Sequence, residues 1–318
     1  MTGPQVPYAS PRAMRQAVLA HASNASRKRS GTRVDQLLRQ FAYARLLARL
    51  FVLEPERWVL KGATGLLARL PNARHSLDVD LWHRADGLEQ AEQAVQRAAE
   101  LDLGDHVRLR IGDWREYIDG NRPLARTTVL CRIGERPLVP QFGLDVVTGP
   151  PPPLPPEIAP PLQPLQIPGL PEPPCIHLFP LACSVADKLA ATLTSHRGTP
   201  STRYRDLVDL ATIAITQQLA ALDLHIAVHH ELLGQRLPLP SGFAVPDPDA
   251  WRIGYGRQAQ GLPHLRGVGF DEAFALVKAM IDPVLAGRRE GVWRPETRRW
   301  EPSGHGGGPG PREVGTAS

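Results

Sequence analysis

Between Trp58 and Trp82 the chain reads W-V-L-K-G-A-T-G-L-L-A-R-L-P-N-A-R-H-S-L-D-V-D-L-W. A short apolar run leads to Lys61-Gly62-Ala63-Thr64, and a second region leads to Asp78-Val79-Asp80. Side chains alternate faces along a strand, so Asp78 and Asp80 share one face while Leu77, Val79 and Leu81 share the other. Two carboxylates ~5 Å apart repel by about 3 kcal/mol at an effective dielectric of ~20, and by nearer ~1 kcal/mol in open water. A surface strand tolerates that cost. Inside a cleft the pair calls for a cation, and a hard one such as Mg²⁺ suits these oxygens. Gly62-Ala63-Thr64 reads as a turn into a helix, where small side chains let phosphate oxygens approach backbone N–H groups and the Thr64 hydroxyl adds a donor. The chain has no G-x-x-x-x-G-K-[ST] loop, which disfavours a Walker-type ATPase.

Outward from this stretch the pattern is α/β. Val34, Leu37, Phe41, Ala44, Ala48 and Val52 recur at helical steps, and Pro55 lies just beyond. Residues 87–101 read as a helix, then Val107, Leu109 and Ile111 alternate with arginines as a half-buried strand. Residues 127–133 and 141–147 read as two further strands about a turn at Gly134-Glu135-Arg136-Pro137. In the last strand Asp145 opposes Leu144 and Val146; if it neighbours Asp78 and Asp80, three carboxylates converge and could hold two Mg²⁺ ions. The other reading makes Asp145 an ordinary residue near the strand end. Ser76, two residues before Asp78, would share its face; it either touches a phosphate (or is modified as an off-switch) or bonds to backbone.

The expected organisation is an α/β lobe with a mixed sheet over residues 1–148, a connection over 149–175, a helical lobe over 176–300 and a disordered tail over 301–318. Thirteen prolines fall within residues 149–174, enough for an extended linker or a docking segment for a polyproline-reading domain. Helical spacing covers residues 178–194, 204–219, 221–233 and 270–285, with 238–269 read as irregular. The tail is too poor in apolar side chains to pack.

Hydrophobic residues make up 42% of 318, enough for a proper core, and no apolar run approaches the ~18 residues of a membrane span. Met1–Arg29 lacks a signal-peptide stretch, and Cys131, Cys175 and Cys183 have no metal-type spacing, so a reducing cytoplasm is expected. The net charge of +5 permits a polyanionic partner. Of the 37 basic residues only Lys28, Lys61, Lys188 and Lys278 are lysines, and Lys61 and Lys188 stand in segments that carry chemistry. Lysine is a compact, mobile point charge suited to one phosphate oxygen. Arg69, Arg74, Arg197, Arg203 and Arg205 flank the motifs and could meet RNA phosphates, while His225, His229 and His230 read as helix surface.

With L-K-G-A-T-G-L, then R-H-S-L-D-V-D-L, then Ala186-Asp187-Lys188-Leu189 and Arg203-Tyr204-Arg205-Asp206-Leu207-Val208-Asp209, the chain resembles the AbiEii/AbiGii-type nucleotidyltransferase toxin family of type IV toxin–antitoxin systems, including its MenT-like members. The resemblance runs from about Trp58 to Ala214, and departs at Ala63, where the wider superfamily often has Gly or Ser. It implies a nucleotidyltransferase-like fold and transfer of a nucleotide from an NTP to an acceptor, tRNA 3′ ends in characterised members, with neutralisation by a cognate antitoxin. It further implies that Asp78 and Asp80 bind Mg²⁺, that Lys61 and Lys188 hold phosphates, and that Asp206 or Asp209 is essential on the second lobe. Asp206 could instead complement a helix dipole. The rival readings are transfer to a protein or small molecule, a kinase-like phosphotransfer, and a catalytically silent RNA- or antitoxin-binding module.

Overall fold

The computed structural model describes residues 8–28, 32–119, 122–194 and 200–303. Helices α1 (Pro11–Lys28) and α2 (Val34–Leu53) precede β1 (Trp58–Lys61), α3 (Gly62–Arg69), β2 (Asp78–His83) and α4 (Leu88–Glu100). There follow β3 (Val107–Ile111), β4 (Arg115–Asp119), β5 (Arg122–Ile133), β6 (Arg136–Pro137), β7 (Phe142–Val147), β8 (Glu157–Ala159) and β9 (Ile176–Leu178). These strands form one mixed nine-stranded sheet in the order β3-β5-β7-β2-β1-β9-β8, with β4 and β6 also paired to β5. The pairs β2–β7 and β1–β9 are parallel; β1–β2, β5–β7 and β3–β5 are antiparallel. The expected mixed α/β architecture is present.

The alternation of β2 positions the site. Val79 and Leu81 go down into a core shared with α1, α2 and α4, while Asp78 and Asp80 remain on the opposite face. Helix α2 is apolar around most of its girth and buries Arg45 and Arg49 as well. Both arginines reach the buried Asp105, Arg45 at 2.7 Å and Arg49 at 2.8 Å, and Arg49 also donates to the Val107 carbonyl at 2.8 Å. Burial raises the Asp105 carboxyl, but the two guanidiniums outweigh it and hold the group below its usual range.

The proline-rich segment lies against the first lobe along part of its length. Leu162, Leu165 and Ile167 enter the core beneath the sheet, and β8 pairs with β9. Glu157 accepts from the Leu181 N–H at 2.9 Å and pairs with Arg69, which also donates to the Phe179 carbonyl at 2.9 Å. A carboxylate at a helix N-terminus is favoured by orphan N–H groups and dipole alike.

The second lobe holds α5 (Leu181–Leu193), α6 (Tyr204–Thr216), α7 (Ala221–Gly234), α8 (Pro248–Ala259) and α9 (Phe270–Leu285) around a second core, which also takes Val59, Trp82 and Phe179 from the sheet. Helix α8 corrects the expectation of an irregular 238–269. Its signal was Asp247-Pro248-Asp249: Asp247 caps the helix by accepting from the Asp249 and Ala250 N–H groups, and Pro248 fits the first turn. Gly254 and Gly256 obscured it. Helix α6 also stops earlier than expected, because Leu219–Ala220 forms β10 beside β11 (Val292–Arg294), which pairs with β12 (Arg299–Glu301). Glu301 is thus a strand residue, and the remainder of the expected tail, from 304, lies outside the described residues. Among the described residues no helix is long and apolar enough to cross a membrane.

Candidate active site

Strand register assembles a row of charge across five strands. Lys61 on β1 faces Asp80 on β2, Asp80 faces Asp145 on β7, Asp145 faces Arg126 on β5, and Arg126 faces Arg115 on β4. Partners in register project to the same face, so cation, two carboxylates and two cations lie side by side. Asp78 stands two residues before Asp80, opposite Gly143. A Cβ on Gly143 would overlap the Asp78 carboxylate, and one on Gly62 would overlap that of Asp80. Gly62 also has φ +61°, a conformation that glycine adopts without cost.

The row is unevenly neutralised. Arg126 holds Asp145 through both oxygens, at 2.7 and 2.5 Å. Lys61 is committed elsewhere, to Asp187 at 3.0 Å, with its ammonium 4.3 Å from the centre of the Phe179 ring. Asp80 is left with long-range attraction only. Burial, followed by repulsion from Asp145, pushes its carboxyl up to about 6 despite Lys61.

From the second lobe, α5 and α6 supply a compact ion cluster. Lys188 on α5 bonds Asp206 at 3.0 Å and Asp209 at 2.5 Å, both on α6. Arg74, from the first-lobe segment before β2, clamps Asp209 at 2.7 and 2.8 Å. Burial raises the Asp209 carboxyl, yet Lys188 and Arg74 together hold it below its usual range. Burial also works against the Lys188 ammonium, and Asp209 and Asp206 more than restore it. Behind Lys61, Asp187 is held low despite its burial by Lys61 and Arg122, while burial and then Asp187 raise Glu231, which Arg122 contacts at 2.5 Å.

Between the lobes opens a cavity of about 770 Å³ lined by Lys61, Gly62, Ala63, Ser76, Asp78, Asp80, Asp145, Lys188 and Asp206, together with Arg74, Arg126, Asp187, Arg203 and Arg205. Twelve of the residues singled out from sequence, Arg74, Arg203 and Arg205 included, therefore meet around one space. Thr64 and Asp209 do not. Thr64 is fully buried and donates its hydroxyl to the Asp78 carbonyl at 2.9 Å, so it fixes the start of β2 to α3. Asp209 lies behind the cavity, where it orients Lys188 and Arg74; Asp206 is the member of that pair on the wall. Ser76 lines the cavity and also accepts from the Asp78 N–H at 3.3 Å. Arg69, bound to Glu157, is taken up in structure, and Arg197 lies outside the described residues. Arg126 and Asp187 escaped the sequence reading. Arg126 becomes visible only through β5–β7 register, whereas Asp187 stood next to Lys188 in the quoted motif.

The fold has known relatives. MenT4, a nucleotidyltransferase toxin from Mycobacterium tuberculosis, has a similar fold: TM-score 0.51 at 20% identity, over 83% of this chain and 99% of that one. JHP933 from Helicobacter pylori gives TM-score 0.43 at 17% identity, over 79% of this chain and 93% of that one. No curated protein matches the chain in sequence. The family described as nucleotidyl transferase AbiEii toxin, type IV TA system, matches residues 45–276, a span that holds β1, β2, β7, α5 and α6 and with them every residue of the charged row and the Lys188 cluster. The chain belongs to this AbiEii family of nucleotidyltransferase toxins.

Proposed function

We propose that this nucleotidyltransferase moves a nucleoside monophosphate from an NTP to an RNA acceptor, a tRNA 3′ end, with Mg²⁺ on Asp78 and Asp80, and so blocks translation in the cytoplasm until a cognate antitoxin protein neutralises it. The observation that carries this reading is the pair Asp78 and Asp80, set in a cleft whose ring of Lys61, Arg74, Arg126, Lys188, Arg203 and Arg205 is interspersed with Asp145, Asp187 and Asp206. Such a ring suits a polyanion, and the carboxylates at its floor suit the cation that accompanies one.

The donor set fits a divalent cation. Among the described residues Asp80 has no ion-pair partner, and its carboxylate takes the space that a Cβ on Gly62 would fill. Among the described residues no three His, Cys, Asp or Glu side chains form a ready cage. Mg²⁺ needs none, since it is commonly held by one or two carboxylates with waters and substrate phosphates completing its shell. The chemistry such a cation supplies is neutralisation of phosphate charge and polarisation of the phosphorus under attack. Asp145, taken by Arg126 on both oxygens, serves this reading as the charge that sensitises Asp80 and anchors Arg126 on the cavity wall. The chain's own residues do the rest. Lys61 and Lys188 hold phosphate oxygens from opposite sides, each aimed by carboxylates behind it. Arg203 and Arg205, at the cavity mouth on the second lobe, meet the RNA backbone.

The test is purified protein with total tRNA, Mg²⁺ and each α-³²P-labelled NTP in turn, beside Asp80→Ala. Label entering RNA from an NTP, and lost in Asp80→Ala, supports the proposal and names the donor. Label on protein, or none on RNA, overturns the tRNA acceptor.

A further inference from the structure

One aspect of the cleft is left unused by phosphate, metal and RNA backbone: its apolar edge. Two residues along from the charged row runs a parallel row on the same sheet face, Trp82 on β2, Val147 on β7, Leu124 on β5 and Tyr117 on β4, each in register with the next. Trp82 is buried under the helical lobe, whereas Val147, Leu124 and Tyr117 line the cavity. Tyr117 is 45% exposed, and its neighbour Ile118, also on the cavity wall, is 73% exposed. The Arg126 guanidinium stands 6.0 Å from the centre of the Tyr117 ring while it grips Asp145, which ties the aromatic edge to the charged row.

Two large apolar side chains left open on an edge strand are a liability unless something covers them. We propose that Tyr117, with Leu124 and Val147, is the platform on which the base of the incoming NTP stacks, an inference that rests on the nucleotide-transfer reading above. The spacing argues for the donor. Successive same-face positions of a strand are ~7 Å apart and neighbouring strands ~5 Å apart, so a nucleotide whose phosphates lie over Asp78 and Asp80 extends along Val147 and Leu124 as its base reaches Tyr117. The acceptor has other ground, at Arg203 and Arg205 where the start of α6 lines the cavity. Aromatic stacking tolerates any base, because every base has a π-face. The row itself presents apolar surface to the base, so Tyr117 contributes affinity for all four NTPs to a similar extent.

The experiment measures dissociation constants of the full chain, with Mg²⁺, for non-hydrolysable α,β-methylene NTP analogues and for inorganic tripolyphosphate. Tyr117→Ala is expected to weaken the analogues about tenfold or more, Tyr117→Phe to leave them within about twofold, and tripolyphosphate to bind all three proteins alike. Unchanged analogue binding by Tyr117→Ala overturns the platform, as does an equal loss for tripolyphosphate, which marks a merely structural role. A raised KM for RNA with an unchanged KM for NTP overturns it in favour of an acceptor base. If the unmutated chain binds neither analogue nor tripolyphosphate, the nucleotide-transfer reading itself falls, and this one with it.

Discussion

Asp80 is a cavity residue whose charge the fold leaves out of balance. Its carboxyl is pushed up to about 6 by burial and by Asp145, while Lys61 leans towards Asp187. A carboxyl whose folded-state value is raised binds its proton more tightly folded than unfolded, so its stabilising contribution is complete below 3.8 and lost as pH rises through about 6. In metal-free protein Asp80→Asn is therefore expected to raise stability at pH 8 by up to about 3 kcal/mol, and to change it little at pH 4; denaturant unfolding at both values checks this. A cation on Asp80, as proposed, needs the ionised form, so nucleotide transfer should fall as pH drops through about 6, and added Mg²⁺ should shift that midpoint lower. Gly62 makes a second prediction at this scale. Gly62→Ala forces a side chain into a left-handed conformation against the Asp80 carboxylate, which should cost about 1–3 kcal/mol and lower transfer at least about tenfold. Thermal melts beside the labelling assay separate the two effects.

At the scale of elements, α2 is fastened to the start of β3 by Arg45, Arg49 and Asp105, all buried. Asp105→Ala leaves two guanidiniums without a counter-charge and should cost about 3–5 kcal/mol, read by denaturant unfolding. The cluster sits beneath the sheet, away from the cavity residues. Helix α8 fixes the other lobe's contribution. A Cβ at Gly254 would overlap the Tyr204 ring, which stands at the start of α6 and packs edge-on against Trp251 at 5.4 Å. Gly254→Ala should therefore displace the start of α6, costing about 1–3 kcal/mol and weakening transfer through Arg203, Arg205 and Asp206. Trp251 and Tyr255, four residues apart, share one face of α8, and the Pro, Gly and Arg content of 238–269 hid that period in the sequence.

In the whole molecule ion pairs join the walls of the cleft, Lys61 to Asp187 and Arg122 to Glu231 among them, and Arg74 to Asp209 joins the segment before β2 to α6. Lys188 remains with Asp209 when Arg74 is removed, so Arg74→Ala should cost about 2 kcal/mol. It should also raise KM for the NTP more than it lowers kcat, because it loosens the approach of the two walls. Hydrogen exchange across residues 70–77 and the first turn of α6 should quicken with it. Unchanged exchange in both segments would show that apolar packing of Val59, Trp82 and Phe179 against the helical lobe suffices to set the cleft.

Local pattern by itself determined several of the elements and the candidate residues on them: alternation placed Asp78, Asp80 and Asp145 on strand faces, helical spacing drew α2, α5, α6, α7 and α9, and residue type singled out Lys61 and Lys188. These are short-range properties, set by backbone periodicity and by which side chains tolerate water. Tertiary structure alone decided which charges are already spent. Arg126 faces Asp145 only because β5 pairs with β7 in one register, Thr64 turns inward to the Asp78 carbonyl, and Asp209 retreats behind Lys188 under the grip of Arg74. Burial and partner distance set those outcomes, and both depend on residues far away in the chain, so no local window of sequence contains them.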